Sequence, residues 1–147
     1  MEAVAVAAAL ARRFEGLYLT PYLCPAGVPT IGYGATFYEN GTKVLLTDKP
    51  ITKERANGLL LWMVRSVYLP TVMQLCPHVN DHNRLAALID FTFNLGSGRL
   101  KSSTLRKKVN AQDWEAVPGE LRKWTRGGGR ILRGLVLRRE AEINLLL

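Results

Sequence analysis

Residues Leu17 to Leu46 exclude a helix and force the chain into a short, turn-rich sheet. Pro21, Pro25 and Pro29 each remove a backbone donor and fix φ, so no helical ladder survives among them. Gly27, Gly32 and Gly34 supply backbone angles that other residues avoid. Val28, Ile31, Tyr33 and Tyr38 suit strands, and Asn40-Gly41 is a turn signal followed by Thr42 to Leu45 as a returning strand. The expectation is an antiparallel sheet of two or three short strands.

Helical patterns flank this stretch. Residues 2 to 14 place Ala3, Ala7, Leu10 and Phe14 on one face, with Arg12 and Arg13 turned outward at the C-terminal end. Thr52 is an N-cap for a helix from Lys53 to about Leu69, apolar over much of its circumference, which Pro70 should end or kink, with another turn of helix over Thr71 to Leu75. Cys76 to His82 reads as a loop; Cys76, His78 and His82 match no zinc spacing, so no metal site is expected. Arg84 to Leu95 is apolar on nearly every face, as for a helix buried within a bundle, and Gly96-Ser97-Gly98 should stop it. Asp90 lies in this apolar run and reads as a hydrogen-bonded structural group. Ser102 or Ser103 caps a helix through Lys108, and Asn110 to Asp113 is a turn. Trp114 to Trp124 reads as helical with a break at Pro118-Gly119, and Arg126 to Arg130 as a flexible basic loop. The last helix is expected from about Leu135 to Leu147, with Arg138, Arg139, Glu140 and Glu142 on its polar side. The fold class is therefore α+β and mostly helical, a single domain over 1–147 with a sheet lobe at 14–50 and helices at 1–13 and 51–147.

Composition narrows the partners. The chain has 147 residues and 48% hydrophobic content, enough for a packed core rather than disorder. Its net charge of +8 draws it to polyanions such as nucleic acid, anionic membrane or cell-wall polymer, without choosing among them. No helix-turn-helix, zinc or RNA-recognition motif is present, so nucleic acid is not an expected partner. The run AVAVAAALA is too short for a bilayer span and lacks a basic leader, which argues against a cleaved signal and against stable membrane insertion. Two cysteines, Cys24 and Cys76, are too few for a disulfide framework.

The chemistry concentrates at residues 14 to 36, FEGLYLTPYLCPAGVPTIGYGAT. Glu15 falls at a helix C-terminus, where the partial negative charge of the helix end favours a protonated carboxyl, the form a general acid needs. Glu15-Gly16, Tyr22, Gly27, Thr30, Gly32, Gly34 and Thr36 follow the pattern E-G-(x)n-Y-x-D-x-x-G-x-x-T-x-G-x-G-x-T of the phage-type lysozymes, the endolysins. Cys24 stands where that family more often has Asp. FNLGSG at 93–98, STLRKKVNAQDW and WTRGGGRILRGLVLRREAE resemble later parts of the same family, so the resemblance covers nearly the whole chain.

The resemblance implies a lysozyme-like fold, with a long helix connecting the sheet lobe to a helical lobe. It also implies hydrolysis of the β-1,4 bond between N-acetylmuramic acid and N-acetylglucosamine in peptidoglycan, without a cofactor. By that likeness Glu15 donates the proton, Cys24 and Thr30 occupy the water-positioning places, and Tyr33, Phe93, Asn94 and Gly96 contact glycan. Phe93 as core and Gly96 as a helix cap are equally good readings of those two residues. A neutral thiol carries no stabilising charge, and a nearby carboxylate should push its pKa above ~8.5, so Cys24 is expected to act as a neutral positioning group. The alternatives are a lytic transglycosylase, which needs no water-positioning partner, and a catalytically impaired wall-binding protein. The expected molecule is a monomer that waits in the host cytoplasm until a membrane pore releases it to the wall.

Overall fold

The computed structural model describes residues 2–147. Helix α1 spans Glu2–Phe14, and its Ala-rich face (Ala3, Val4, Ala7, Ala8, Ala11) is buried. Small side chains let α1 lie closely along α4 (His82–Leu95), whose buried face carries Leu85, Leu88, Ile89 and Phe91.

The proline- and glycine-rich stretch folds as expected into a minimal sheet. Strands β1 (Tyr18–Leu23) and β2 (Pro29–Gly32) pair antiparallel, with Tyr22 opposite Thr30 and Leu23 opposite Pro29. The register is irregular between Tyr18 and Tyr22, where Pro21 has no N–H to give a ladder. After β2 the chain reverses within five residues: Ile31 and Ala35 exchange backbone hydrogen bonds of 2.9 Å each. That turn needs left-handed backbone, and Gly32 (φ 68°) and Gly34 (φ 98°) supply it. The returning strand expected at Thr42 to Leu45 shrinks to one bridge between Phe37 and Lys43. Here side chains take over from the ladder. Tyr38 Oη donates to Asp48 Oδ2 at 2.7 Å, and the Leu45 N–H donates to the same oxygen at 2.9 Å. Arg55 ties this segment to the next helix through two bonds to Glu39, 2.6 and 2.7 Å long.

Thr52 caps helix α2 (Lys53–Met63) by accepting from the Arg55 N–H at 3.0 Å, as expected. Pro70 does not end the connecting helix, and the further turn expected at Thr71 to Leu75 is helical. The chain passes through a π-helical turn at Val64–Tyr68 and continues as α3 (Leu69–Leu75), with Pro70 in its first turn. The wider turn accommodates the proline's missing donor, and the rod runs unbroken from Lys53 to Leu75. By length and composition this rod would cross a bilayer. In the fold its Ala56, Leu59, Leu60, Met63, Val64, Leu69 and Val72 instead enter the common core.

Asp81 caps α4 by accepting from the Arg84 N–H at 2.9 Å, so His82 opens the helix rather than closing the loop. Gly96 (φ 95°) ends α4, but Ser97-Gly98 are not a stop: they begin α5 (Ser97–Ser102). Ser103 caps α6 (Thr104–Asn110). The helix expected over Trp114 to Trp124 contracts to α7 (Val117–Leu121), and Pro118-Gly119 lie inside it, not at a break. Proline in the first turn of a helix forfeits only a donor that has no acceptor there. The expected basic loop is a small hairpin, β3 (Arg126–Gly127) and β4 (Arg130–Ile131), turned by Gly128 (φ 59°) and Gly129 (φ 81°). Helix α8 (Arg133–Asn144) starts two residues before the expected one and stops three residues short of the last residue.

The largest correction concerns which face α8 presents to the protein. Arg138, Arg139 and Glu142, expected on a solvated side, are buried against α4; among the four charged residues Glu140 alone keeps an exposed contact, with Arg122. The core is continuous across both lobes, since Ile31, Tyr33, Ala35 and Val44 of the sheet side pack in one cluster with the helices.

Candidate active site

Glu15 follows the last residue of α1, and its N–H still donates to the Ala11 carbonyl at 2.8 Å. The helix thus fixes the backbone of Glu15 while its half-buried side chain reaches into a cavity of about 390 Å³. Phe14, Asn94, Leu135 and Arg138 share that cavity. Arg138 Nη1 donates to Glu15 Oε2 at 2.6 Å, across 123 positions of sequence. The helix-end argument for Glu15 did not include this cation.

Arg138 is itself held. Its Nε and Nη2 donate to the two oxygens of Asp90 at 2.9 and 2.7 Å, and Asp90 is wholly buried. Burial disfavours the guanidinium's charge, yet Asp90 and Glu15 together hold its pKa above the ordinary range. Beside this pair, Arg139 Nη2 donates to Glu142 Oε2 at 3.0 Å and to Asn94 Oδ1 at 2.7 Å. Glu142 also faces Asp90; burial first, and that second carboxyl next, push its pKa well up. Asp90 is thus the hydrogen-bonded structural group expected of it, and its partner was the unexpected part.

The hairpin carries the other two candidates, Cys24 and Thr30. Cys24 stands at the β1–β2 turn, half-exposed, with its N–H bonded to the Val28 carbonyl at 3.1 Å. Thr30, on β2, is buried, and its hydroxyl donates to the Val28 carbonyl at 2.8 Å. The backbone at Val28 and then Ala26, followed by the Thr30 hydroxyl, hydrogen-bond the sulfur and hold the thiol below its ordinary value. This direction is opposite to the expected one. The Thr30 hydroxyl has a single proton, so serving a thiolate would require it to rotate away from Val28. Tyr22, stacked on Tyr18 at 3.9 Å between ring centroids, lies close enough to Cys24 and Glu15 to feel both. Its phenol is raised, by burial first and then by the charges of Tyr18, Cys24 and Glu15.

A second cavity of about 350 Å³ adjoins the sheet side, lined by Gly34, Thr36, Tyr38, Trp62 and Tyr68 among others. Tyr68 packs on Phe93 at 5.1 Å between centroids, and Asn94 lines the Glu15 cavity, so the two cavities flank the end of α4. Of the expected glycan contacts, Asn94 reaches the Glu15 cavity, Phe93 is a partly buried wall and Gly96 caps α4. Tyr33 departs from the expectation: it is buried and turns toward a groove shared with Arg12, Arg13 and Lys53. Reading the sequence missed Arg138, Tyr68 and Trp62. The tyrosine and tryptophan lie on a helix apolar on most sides, where periodicity does not separate a cleft wall from core. Two adjacent arginines in the last helix were the one available sign of buried charge.

Against known proteins, the family description "Phage lysozyme" matches residues 12–142. The endolysin of Acyrthosiphon pisum secondary endosymbiont phage 1 is 34% identical over 139 residues, covering 90% of this chain and 89% of that protein. A SAR-endolysin of bacteriophage PS119 is 31% identical over 136 residues, 90% of this chain and 76% of its own. The endolysin of Bacillus phage B103 is 34% identical over 138 residues, and the chain spans about half (51%) of its length. Among solved structures, the endolysin from Escherichia coli O157:H7 phage FAHEc1 superposes with a TM-score of 0.82 at 29% identity, over 97% of this chain and 90% of that one. The muramidase domain of SpmX from Asticaccaulis excentricus gives 0.80 at 26%, over 96% and 94%. By the match over residues 12–142 and by the 34% identity with the Acyrthosiphon pisum secondary endosymbiont phage 1 endolysin over most of both chains, the chain belongs to the phage lysozyme family.

Proposed function

We infer that this protein is a peptidoglycan-hydrolysing endolysin, a lysozyme-type glycosidase in which Glu15 is the proton donor. The observation that carries the reading is Glu15 itself. It is an acid fixed by the end of α1 and facing a cavity, and Tyr22 of the hairpin that carries the thiol and the hydroxyl lies within electrostatic reach of it. A glycan strand lies in the cleft past the Phe93–Tyr68 wall, with Asn94 at its floor. Glu15 protonates the glycosidic oxygen as positive charge grows on the sugar. Thr30 and Cys24 orient a water on the opposite face of the ring, which gives inversion at the anomeric carbon. The hydrogen bonds that draw the Cys24 thiol down would serve negative charge at that position whether sulfur or carboxylate carried it. The substrate is the glycan of the cell wall, and release from the host cytoplasm through a membrane pore is the route by which the enzyme meets it.

Digestion of purified peptidoglycan followed by mass analysis of the fragments tests this reading. Reducing muramic ends are expected. Anhydro ends would mean a lytic transglycosylase, a reading that the absence of Asp at position 24 favours, and no fragments would leave a wall-binding protein. Glu15→Gln should abolish lysis while leaving the circular dichroism spectrum intact; a variant that clears cells at the parent rate ends the assignment.

A further inference from the structure

A general acid held against an arginine faces a physical conflict. Arg138 Nη1 lies 2.6 Å from Glu15 Oε2, and a guanidinium favours the carboxylate, the form that has no proton to give. The same guanidinium spends its other two bonded nitrogens on Asp90. Asp90 has no exposed surface, comes from the middle of α4, and fills both oxygens with Arg138 at 2.9 and 2.7 Å. Resting on the reading of Glu15 as proton donor, we propose that Asp90 is a positioning residue, aiming Arg138 at Glu15 and offsetting its charge so that Glu15 can hold the proton it donates.

Two features fit that role better than simple packing. A bidentate carboxylate–guanidinium pair fixes the plane of the fork, so the remaining nitrogen points in one direction, toward Glu15. The pair is also nearly neutral as a unit, which leaves Glu15 beside a strong dipole of hydrogen-bond donors rather than an uncompensated cation. The remaining ionisable neighbours are few: Tyr22 from the hairpin with Cys24 beyond it, and Tyr68 from the connecting rod, face Glu15, while Arg139 and Glu142 of α8 lie on the far side of Asp90. None of these provides a second permanent charge between Arg138 and Glu15.

The test is the pH profile of kcat and KM on solubilised peptidoglycan for the parent, Asp90→Asn, Arg138→Gln and the double variant. The alkaline limb, where rate is lost as the acid gives up its proton, should move about one pH unit lower in Asp90→Asn. Its KM should stay within about twofold and its acid-side kcat should be largely retained, a result equal to about a tenfold loss on the limb itself. Arg138→Gln should move the limb upward, and adding Asp90→Asn to it should move the limb much less than the same change does in the parent; an equal shift in both backgrounds overturns the proposal. The thiol of Cys24 is common to all four proteins, so differences between them do not depend on it. A folded Asp90→Asn whose limb superimposes on the parent's, or whose rate drops equally at every pH, overturns the proposal and leaves Asp90 a structural group. Should Asp90→Asn fail to fold, Arg138→Gln decides, and a limb coincident with the parent's overturns it. If Glu15→Gln remains active, the reading of the proton donor has failed instead, whatever the limbs do.

Discussion

At the scale of single residues, the two cysteines are set apart by their surroundings. Hydrogen bonding from the turn backbone and Thr30 draws Cys24 below its ordinary value, while burial pushes Cys76 up to about 11. Iodoacetamide at mildly alkaline pH should therefore label Cys24 many times faster than Cys76, as peptide mapping would show. Cys24→Asp should keep or raise lysis, because those donors serve a carboxylate equally and the charge stabilises an oxocarbenium-like transition state. Cys24→Ala should lower the rate while leaving measurable lysis. Loss as complete as in Glu15→Gln, together with disappearance of an alkaline rise in the parent's profile, would make the thiolate a base and not a positioning group. Glu15, Thr30 and the departure at Cys24 were singled out by the resemblance of residues 14 to 36 to the phage-type lysozymes. Arg138 was not, because its contact with Glu15 crosses the whole chain.

At the scale of elements, caps predicted helix starts better than breakers predicted helix ends. Thr52 and Ser103 cap through local side-chain bonds, as expected, and Asp81, which was read as loop, caps α4 in the same way. Asp81→Ala should lower stability by about 1 kcal/mol in thermal or urea unfolding, with lysis per folded molecule unchanged. An effect on kcat would mean that the start of α4 reaches the cleft at its other end. Pro70, Gly98 and Pro118-Gly119 were read as interruptions and each lies within helix. Their cost depends on which donor the proline removes and whether a π turn or a helix start absorbs it, and only the assembled chain decides that. In the hairpin at Arg126 to Ile131, the left-handed angles of Gly128 and Gly129 convert an apparently flexible basic segment into an ordered turn.

For the whole molecule, two behaviours follow from charge and burial. A net charge of +8 should speed capture by an anionic wall, so lysis should fall as salt rises and exposed charges are screened over ~10 Å at 0.1 M. A rate flat across ionic strength would remove charge from substrate capture. Stability should fall as pH rises from 9.0 to about 11, because the fold raises the Cys76 thiol and so favours its protonated form. That contribution is complete below the ordinary thiol value and is lost on passing the folded one, by roughly 3 kcal/mol over the window. Cys76→Ala should flatten the slope relative to the parent; equal slopes would assign the decline to other groups.

What the sequence determined by itself was everything encoded at short range. The alternation of proline and glycine at 21 to 34 demanded the hairpin, the apolar spacing of 2 to 14 demanded α1, and the joint between them placed Glu15 at a helix end. The tertiary structure alone decided which polar groups are buried. Helix α8 has charge on most sides, and its periodicity does not say that Arg138, Arg139 and Glu142 face inward. They do so because Asp90 and Asn94 on α4 offer buried hydrogen-bonding partners that a helix 48 positions away can reach only after packing. A buried charge is stable only beside its counter-charge, so its position is a property of two elements at once and of neither one's sequence alone.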